Sequence, residues 1–148
     1  MSLQSRIEND YKQAFRANDR PAVSAWRMLK SSIKNREIEV GRELTDEETI
    51  EVITREVKKR REASEQFGRG GRPDLATKEQ ADVALYQKYL PEQLTEQELQ
   101  GIVRQAITDV GATGPSDIGK VMAAVMAKVK GRADGSAVQV MVKKTLGA

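Results

Sequence analysis

The chain has 148 residues, which is enough for one domain or for two small helical units. Hydrophobic residues make up 39% of it, charged residues 32% and aromatic residues only 4%, so aliphatic side chains must build the core. It contains neither cysteine nor histidine, which excludes disulfides, thiolate chemistry, imidazole bases and most zinc sites. No apolar run approaches the roughly 20 residues that span a bilayer, and the N-terminus lacks a signal-peptide core, so we expect a cytoplasmic protein without a membrane segment.

The first two predicted helices carry apolar residues at helical spacing. An apolar residue at every fourth position predicts an amphipathic helix within residues 1–17. Pro21 is tolerated in a first helical turn, so the chain restarts there as a second helix, over about 21–40, which Gly41 ends. Trp26 lies in the apolar stripe of this second helix. It is therefore interpreted as a core residue rather than as a platform for nucleobases.

A capping sequence predicts the start of the third helix, over about 46–67. In Thr45-Asp46-Glu47-Glu48, the Thr hydroxyl and the last Glu carboxylate can each accept from a free backbone amide. The first half of this helix is acidic and the second half is basic, with the densest basic run of the chain at Lys58, Lys59, Arg60 and Arg61. Such a run is explained either by a solvated face with ion pairs at four-residue spacing or by contact with nucleic acid.

Glycines and prolines divide the middle of the chain. The segment 68–73 (GRGGRP) is expected to be a flexible hinge, and its Arg69 and Arg72 resemble a short RGG piece that could reach a phosphate backbone. Asp74 is expected to cap a fourth helix over about 75–90, which Pro91 stops. A second capping sequence, at 95–98 (TEQE), predicts a fifth helix.

The last two predicted helices meet at a basic corner. Within Gly119–Gly135, apolar residues at three- and four-residue spacing predict a sixth helix that ends near Gly131. Asp134 can cap a seventh helix that carries the apolar residues up to Leu146. Four cations cluster about the ends of the sixth helix: Lys120, Lys128, Lys130 and Arg132. The simplest interpretation is a helical hairpin with solvated lysines, and no segment alternates long enough for a strand.

Recognisable catalytic motifs are missing from the sequence. It has no GxxxxGK[ST] phosphate loop, no GxSxG elbow and no SxxK pair. Glu47, Glu48 and Glu51 could hold a magnesium ion, but acidic residues at a helix start are explained by the helix dipole. We therefore expect no catalytic residue, no metal site and no cofactor.

Three stretches carry a resemblance to known proteins. Residues 89–94 (YLPEQL), followed by 95–99 (TEQEL), look like the central signature of the YqeY family. Residues 119–146 (GKVMAAVMAKVKGRADGSAVQVMVKKTL) resemble the tail domain that this family shares with the B subunit of the glutamyl- and aspartyl-tRNA amidotransferases. The basic run at 58–62, with 71–75 (GRPDL), matches the amino-terminal half of the family. The resemblance covers nearly the whole chain.

The resemblance implies an all-α, GatB/YqeY-like fold of two small helical bundles with about seven helices. Residues 1–91 would form an N-terminal helical domain, and residues 92–148 a tail-like helical domain. In the amidotransferases the tail touches tRNA, while the glutamyl-activating chemistry lies in a separate catalytic domain that nothing in this chain resembles. An autonomous activity is therefore not expected, and a carbon–nitrogen ligase role could arise only through a partner.

Two kinds of function remain open on the sequence. The first is an accessory module that binds tRNA or another structured RNA through phosphate contacts. Its expected contact residues are Lys120, Lys128, Lys130, Arg132, Lys58, Lys59, Arg60, Arg61, Arg69 and Arg72. The second is a protein–protein adaptor with no direct RNA contact, in which the cations serve solubility. A steep salt dependence of RNA binding would separate the two.

Overall fold

Residues 1–147 are described by a computed structural model, and they form seven α-helices with no strand among them. The helices are α1 Leu3–Arg16, α2 Arg20–Val40, α3 Asp46–Arg69, α4 Pro73–Gln87, α5 Glu96–Val110, α6 Ile118–Val129 and α7 Gly135–Thr145. A 3₁₀ helix, Pro115–Asp117, directly precedes α6. The prediction of an all-α fold is confirmed. No helix of residues 1–147 is both long and apolar enough to cross a bilayer.

The chain divides into two compact units, each with its own core. Unit 1 covers Met1–Leu90 and contains α1 to α4, and unit 2 begins at Pro91 and contains α5 to α7. The core of unit 1 is aromatic and aliphatic, whereas that of unit 2 is built mainly from valine. Apolar burial is the main stabilising contribution in both units.

Trp26 lies at the centre of the unit 1 core, as its place in the apolar stripe predicted. The side chain is only 2% exposed, and its ring centroid lies 6.0 Å from that of Tyr86 and 5.5 Å from that of Tyr89. The Tyr86 hydroxyl donates to the Ala25 carbonyl of α2, and the Tyr89 hydroxyl donates to the Asp10 carboxylate of α1. These bonds satisfy the polar ends of the buried rings. The aromatic cluster thus joins α4 to the first two helices.

The capping sequence at the start of α3 forms as predicted. The Glu48 amide donates to the Thr45 hydroxyl at 3.2 Å, and the Thr45 amide donates to the Glu48 carboxylate at 3.0 Å. Arg42 also binds this carboxylate with two nitrogens, at 2.7 and 3.0 Å. Gly41 ends α2 in the left-handed conformation, with φ of 75°, which glycine adopts without steric strain.

The glycine segment expected as a hinge is the tight turn of a helical hairpin. α3 continues through Arg69, α4 begins at Pro73, and the Arg72 amide donates across the turn to the Phe67 carbonyl at 2.8 Å. The expected cap at Asp74 is wrong, because proline has a fixed φ and opens the helix itself. Asp74 lies in the first turn of α4 and forms an ion pair with Arg72 at 3.1 Å.

Three helices form the core of unit 2. Six valines in this core have no exposed surface: Val103, Val121, Val125, Val129, Val138 and Val142. The predicted apolar stripe of α6 is narrower than expected, because Met126 is 37% exposed while Val125 and Val129 are fully buried. The last turn of α6 therefore presents a mixed apolar and basic surface to solvent.

Candidate nucleic-acid interface

The corner between α6 and α7 has a backbone that glycine fits best. α6 ends at Val129, and Gly131 has φ of +76°, in the left-handed region. An L-residue with a Cβ is strained there by roughly 1–2 kcal/mol. The Arg132 amide then donates to the Val129 carbonyl at 2.7 Å, which closes the turn. Asp134 occupies the predicted N-cap position of α7, but its side chain makes no capping hydrogen bond there. We call residues 128–132 the Gly131 corner.

A segment before α5 fastens the Gly131 corner by three hydrogen bonds. The Leu94 amide donates to the Arg132 carbonyl at 2.8 Å, and the Gln93 side-chain amide donates to the Gly131 carbonyl at 2.9 Å. In return, Arg132 Nε donates to the Glu92 carbonyl at 3.0 Å. We call residues 92–94 the clasp. The carbonyls of Gly131 and Arg132 accept hydrogen bonds from the clasp, and without it they would need solvent as their hydrogen-bond partner. The clasp therefore holds the corner in one conformation.

Three of the cations expected at the corner lie together there. Lys128 Nζ is 3.4 Å from the Asp109 carboxylate, and Arg132 Nη2 is 4.0 Å from that of Glu98. Side-chain bonds from Gln105 and then from Lys128 hold the pKa of Asp109 below its usual value. Lys130 is exposed, and the side chains of Lys128 and Arg132 are 47% and 41% exposed. Because solvent screens such pairs, a phosphate can replace the carboxylate partner.

Lys120 lies apart from the other three cations. It is in the first turn of α6, two turns before Lys128, which corresponds to about 12 Å along the axis. It faces the Asp117 carboxylate, whose pKa is lowered first by the Thr113 amide and also by the Lys120 charge. Two exposed lysines in the last turn of α7, Lys143 and Lys144, were missed by the sequence argument. Their adjacent positive charges are the signal that could have found them.

The basic run of α3 does not act as one surface, because Arg60 is turned inward. Its side chain is only 13% exposed and lies between the carboxylates of Glu56, at 3.5 Å, and Glu79, at 3.4 Å. Both carboxylates are themselves buried. A buried cation with two buried partners has little capacity for a phosphate. Arg60 is therefore not among the cations that can contact an RNA phosphate.

The other cations of unit 1 remain at the surface. Lys58, Lys59 and Arg61 are exposed, and Arg61 Nη2 donates to the Gln87 side chain at 2.8 Å. Arg69 is 79% exposed beside Glu65, and Arg72 is exposed beside Asp74. At 100° per residue, the spacing of Lys58, Arg61 and Arg69 places them on one side of α3. These residues form a second candidate surface, within unit 1.

The acidic start of α3 does not gather into a metal site. No group of three carboxylates in residues 1–147 is arranged to hold a metal ion. Glu48, one of the three side chains considered for magnesium, is bound by Arg42 and by the Thr45 amide. Its carboxylate therefore takes part in capping the start of α3.

The helices and the exposed cations define an all-α protein of two helical units that presents clustered positive charge. The family model described as "Yqey-like protein" matches residues 4–146. The chain belongs to the YqeY family, and the resemblance found in its sequence is confirmed. The likeness of residues 119–146 to the amidotransferase tail is not tested by this match and stays a prediction.

Three curated proteins that are similar to this chain are named as mitochondrial proteins. "Altered inheritance of mitochondria protein 41, mitochondrial" from Pyrenophora tritici-repentis is 31% identical over 146 residues, which cover 97% of this chain and 80% of the relative. The protein of that name from Lachancea thermotolerans is 26% identical over 115 residues, with 76% of this chain and 62% of the relative covered. The Saccharomyces cerevisiae protein is 30% identical over 87 residues, with 58% of this chain and 47% of the relative covered.

The predicted cytoplasmic location is wrong by this comparison, since all three relatives are named as mitochondrial proteins. The prediction depended on the lack of an apolar secretory core. That feature separates secreted proteins from others, but it does not distinguish the cytosol from the mitochondrial interior.

Proposed function

We propose that this chain is an accessory module that binds structured RNA at the Gly131 corner and has no catalysis of its own. The observation that carries the proposal is the clasped corner, from which three solvent-accessible cations project at the end of α6. Phosphate contacts from such cations supply affinity and register. A fixed backbone reduces the conformational entropy that binding would otherwise cost.

The proposed RNA is tRNA. This choice is supported by the likeness of residues 119–146 to the tail domain of the amidotransferase B subunit, the part of that enzyme that touches tRNA. An A-form helix has a major groove too deep and narrow for side chains to read, so a helical corner would recognise shape and phosphates. Because the relatives are named as mitochondrial, mitochondrial tRNA belongs among the RNAs to be compared.

The exposed cations of α3 and its turn are proposed to add affinity from unit 1. Lys58, Lys59, Arg61, Arg69 and Arg72 lie on one helix and the turn that follows it. Their contribution can be measured separately from that of the Gly131 corner, because the two sets belong to different units. Arg61→Glu with Arg69→Glu tests this surface.

The direct test is the salt dependence of tRNA binding by the full chain. If three phosphates are contacted, the logarithm of the binding constant should fall against the logarithm of salt concentration with a slope of about −2 to −3. Fluorescence anisotropy with labelled tRNA measures both the constant and the slope. No binding at low salt would reject the proposal and favour the protein-adaptor alternative.

Two double variants with equal charge change locate the binding surface. Lys128→Glu with Lys130→Glu should weaken tRNA binding and reduce the slope by about one unit for each lost contact. Arg132 is left in place because its guanidinium bonds to the clasp. The matched control is Lys12→Glu with Arg104→Glu, two exposed residues that belong to neither the corner nor the clasp. Equal losses from both variants would indicate nonspecific attraction alone.

A further inference from the structure

Unit 1 has a groove between α1 and α2 that the RNA proposal does not use. It measures about 460 Å³ and is lined by the apolar side chains of Phe15, Val23 and Met28. Phe15 is 59% exposed and Met28 is 44% exposed, so two large apolar residues face solvent at one place. Neighbouring exposed apolar residues, in contrast to scattered ones, are typical of a binding site.

The charged residues that line this groove, Arg20 and Arg27, are both basic. Neither forms an ion pair with a carboxylate within residues 1–147, although Arg27 Nε donates to the Tyr11 hydroxyl at 3.3 Å. The nearest carboxylate in sequence, that of Asp19, accepts from the Ala22 amide at 3.3 Å and caps α2. The groove therefore combines three apolar side chains with two arginines that have no carboxylate partner in the described part of the chain, and Asn18 and Ser24 complete its lining.

We propose that this groove docks an acidic amphipathic helix of a protein partner. The apolar side chains of such a helix would enter between Phe15 and Met28, and its carboxylates would pair with Arg20 and Arg27. From Arg20 to Met28 the groove follows about 12 Å of α2, enough for two turns of a docked helix. Methionine adapts its shape to different partners and is common in grooves that receive helices.

The lining favours a protein over a nucleic acid. Phe15 could stack on a base, but Val23 and Met28 offer no aromatic face, and single-stranded sites depend on such faces. The three apolar side chains around the groove instead match the ridge of side chains on an amphipathic helix. Charge complementarity then selects acidic partners and raises the rate of association.

Selection from a displayed library of helical peptides, on the immobilised full chain, tests the proposal. We expect the enriched peptides to carry apolar residues on one face and carboxylates beside them. Synthetic copies should bind the full chain and lose about tenfold in affinity on Phe15→Ser and, independently, on Arg20→Glu. Both positions are exposed, so thermal melting should be nearly unchanged. Ile38→Ser, at an apolar residue of α2 that is 69% exposed, is the matched control and should bind normally.

Several results would overturn the proposal. These are a library that yields no binder, enriched peptides without acidic residues, and peptides that bind both variants as well as the original chain. A loss of tRNA binding on Arg20→Glu, with no acidic peptide selected, would assign the groove to nucleic acid. Self-association that Phe15→Ser abolishes would assign it to a second copy. Peptide binding should persist in Lys128→Glu with Lys130→Glu, so failure of the RNA proposal and failure of this one are distinguishable.

Discussion

Arg60 of α3 and Glu79 of α4 form an ion pair that is almost closed to solvent. The nitrogen–oxygen distance is 3.4 Å, and the side chains are 13% and 11% exposed. Glu56, one turn earlier on α3, approaches the same guanidinium at 3.5 Å and accepts from the Ser32 hydroxyl of α2 at 2.9 Å. Burial raises the pKa of nearby Asp82, and the charge of Arg60 opposes that shift. The buried arginine thus connects three helices of unit 1.

Arg60→Ala should therefore strongly destabilise unit 1. It leaves the carboxylate of Glu79 buried without its cation and that of Glu56 with only the exposed Lys59, 3.6 Å away. Breaking a buried ion pair in this way typically costs about 3–5 kcal/mol. Urea unfolding followed by the fluorescence of Trp26, the one tryptophan of the chain, measures the free energy of unfolding of this unit. Lys59→Ala is the control: its ammonium also lies 3.6 Å from the Glu56 carboxylate, but the side chain is 72% exposed, so its loss should change stability by less than about 1 kcal/mol. Similar small effects for both variants would show that Arg60 is not needed in the core.

The capping sequence of α3 should make stability depend on pH in the acid range. The side chain of Arg42 and then the Thr45 amide lower the pKa of Glu48 to about 2. The unfolded chain takes up this proton at a higher pH than the folded chain does, so stability is present above about pH 4.3 and is lost as the pH falls towards 2.

Glu48→Gln removes the titrating carboxylate but keeps the shape of the side chain. The decline in urea midpoint between about pH 5 and pH 2 should become shallower than in the original chain. Glu43→Gln makes the same chemical change at an exposed carboxylate before α3 and is the control. If both variants showed the same pH profile, the Arg42–Glu48 contact would not be maintained in solution.

The helices were predictable because their signals are local. Thr45 and Glu48 are three residues apart, and the stripe that contains Trp26 repeats within one helix, so pattern and capping suffice. The inward turn of Arg60 was not predictable in this way. Four consecutive cations look equivalent in sequence, but each is rotated by about 100° from the next, and only tertiary packing decides which one is buried. Its partner Glu79 lies 19 residues further along the chain, on the next helix.

The candidate site likewise has local features that the sequence predicts and tertiary contacts that it does not. The glycine corner and its cations were visible as a helix end followed by basic residues. The clasp was not, because Gln93 meets Gly131 across 38 residues and Glu92 meets Arg132 across 40. No periodicity links such positions, and a backbone carbonyl as acceptor leaves no trace in residue type. The prediction of a hinge in 68–73 is wrong for a related reason. α3 continues through Gly68, because one glycine costs only about 1 kcal/mol in a helix.

The isolated chain should not release glutamate from glutamine. The sequence offers no thiol or imidazole for covalent hydrolysis, and the acidic start of α3 is used in capping. A coupled glutamate assay on the purified chain, with and without tRNA, should match a heat-denatured sample. Turnover above that background that persists in independent preparations would show a catalytic grouping that the proposed accessory role does not include.

Gly131 should be required for its backbone conformation. With φ of +76° there, Gly131→Ala should lower the stability of unit 2 by about 1 kcal/mol, whereas Gly131→Asn should cost less because asparagine tolerates the left-handed region better. Gly101→Ala is the matched control: it lies inside α5 with nothing within 4 Å of an added Cβ, so the same change should stabilise by about 0.5–1 kcal/mol. Thermal unfolding followed by far-ultraviolet circular dichroism gives the order of the four proteins. An alanine at 131 that is as well tolerated as one at 101 would contradict the left-handed corner, and with it the fixed platform on which the proposed RNA contacts depend.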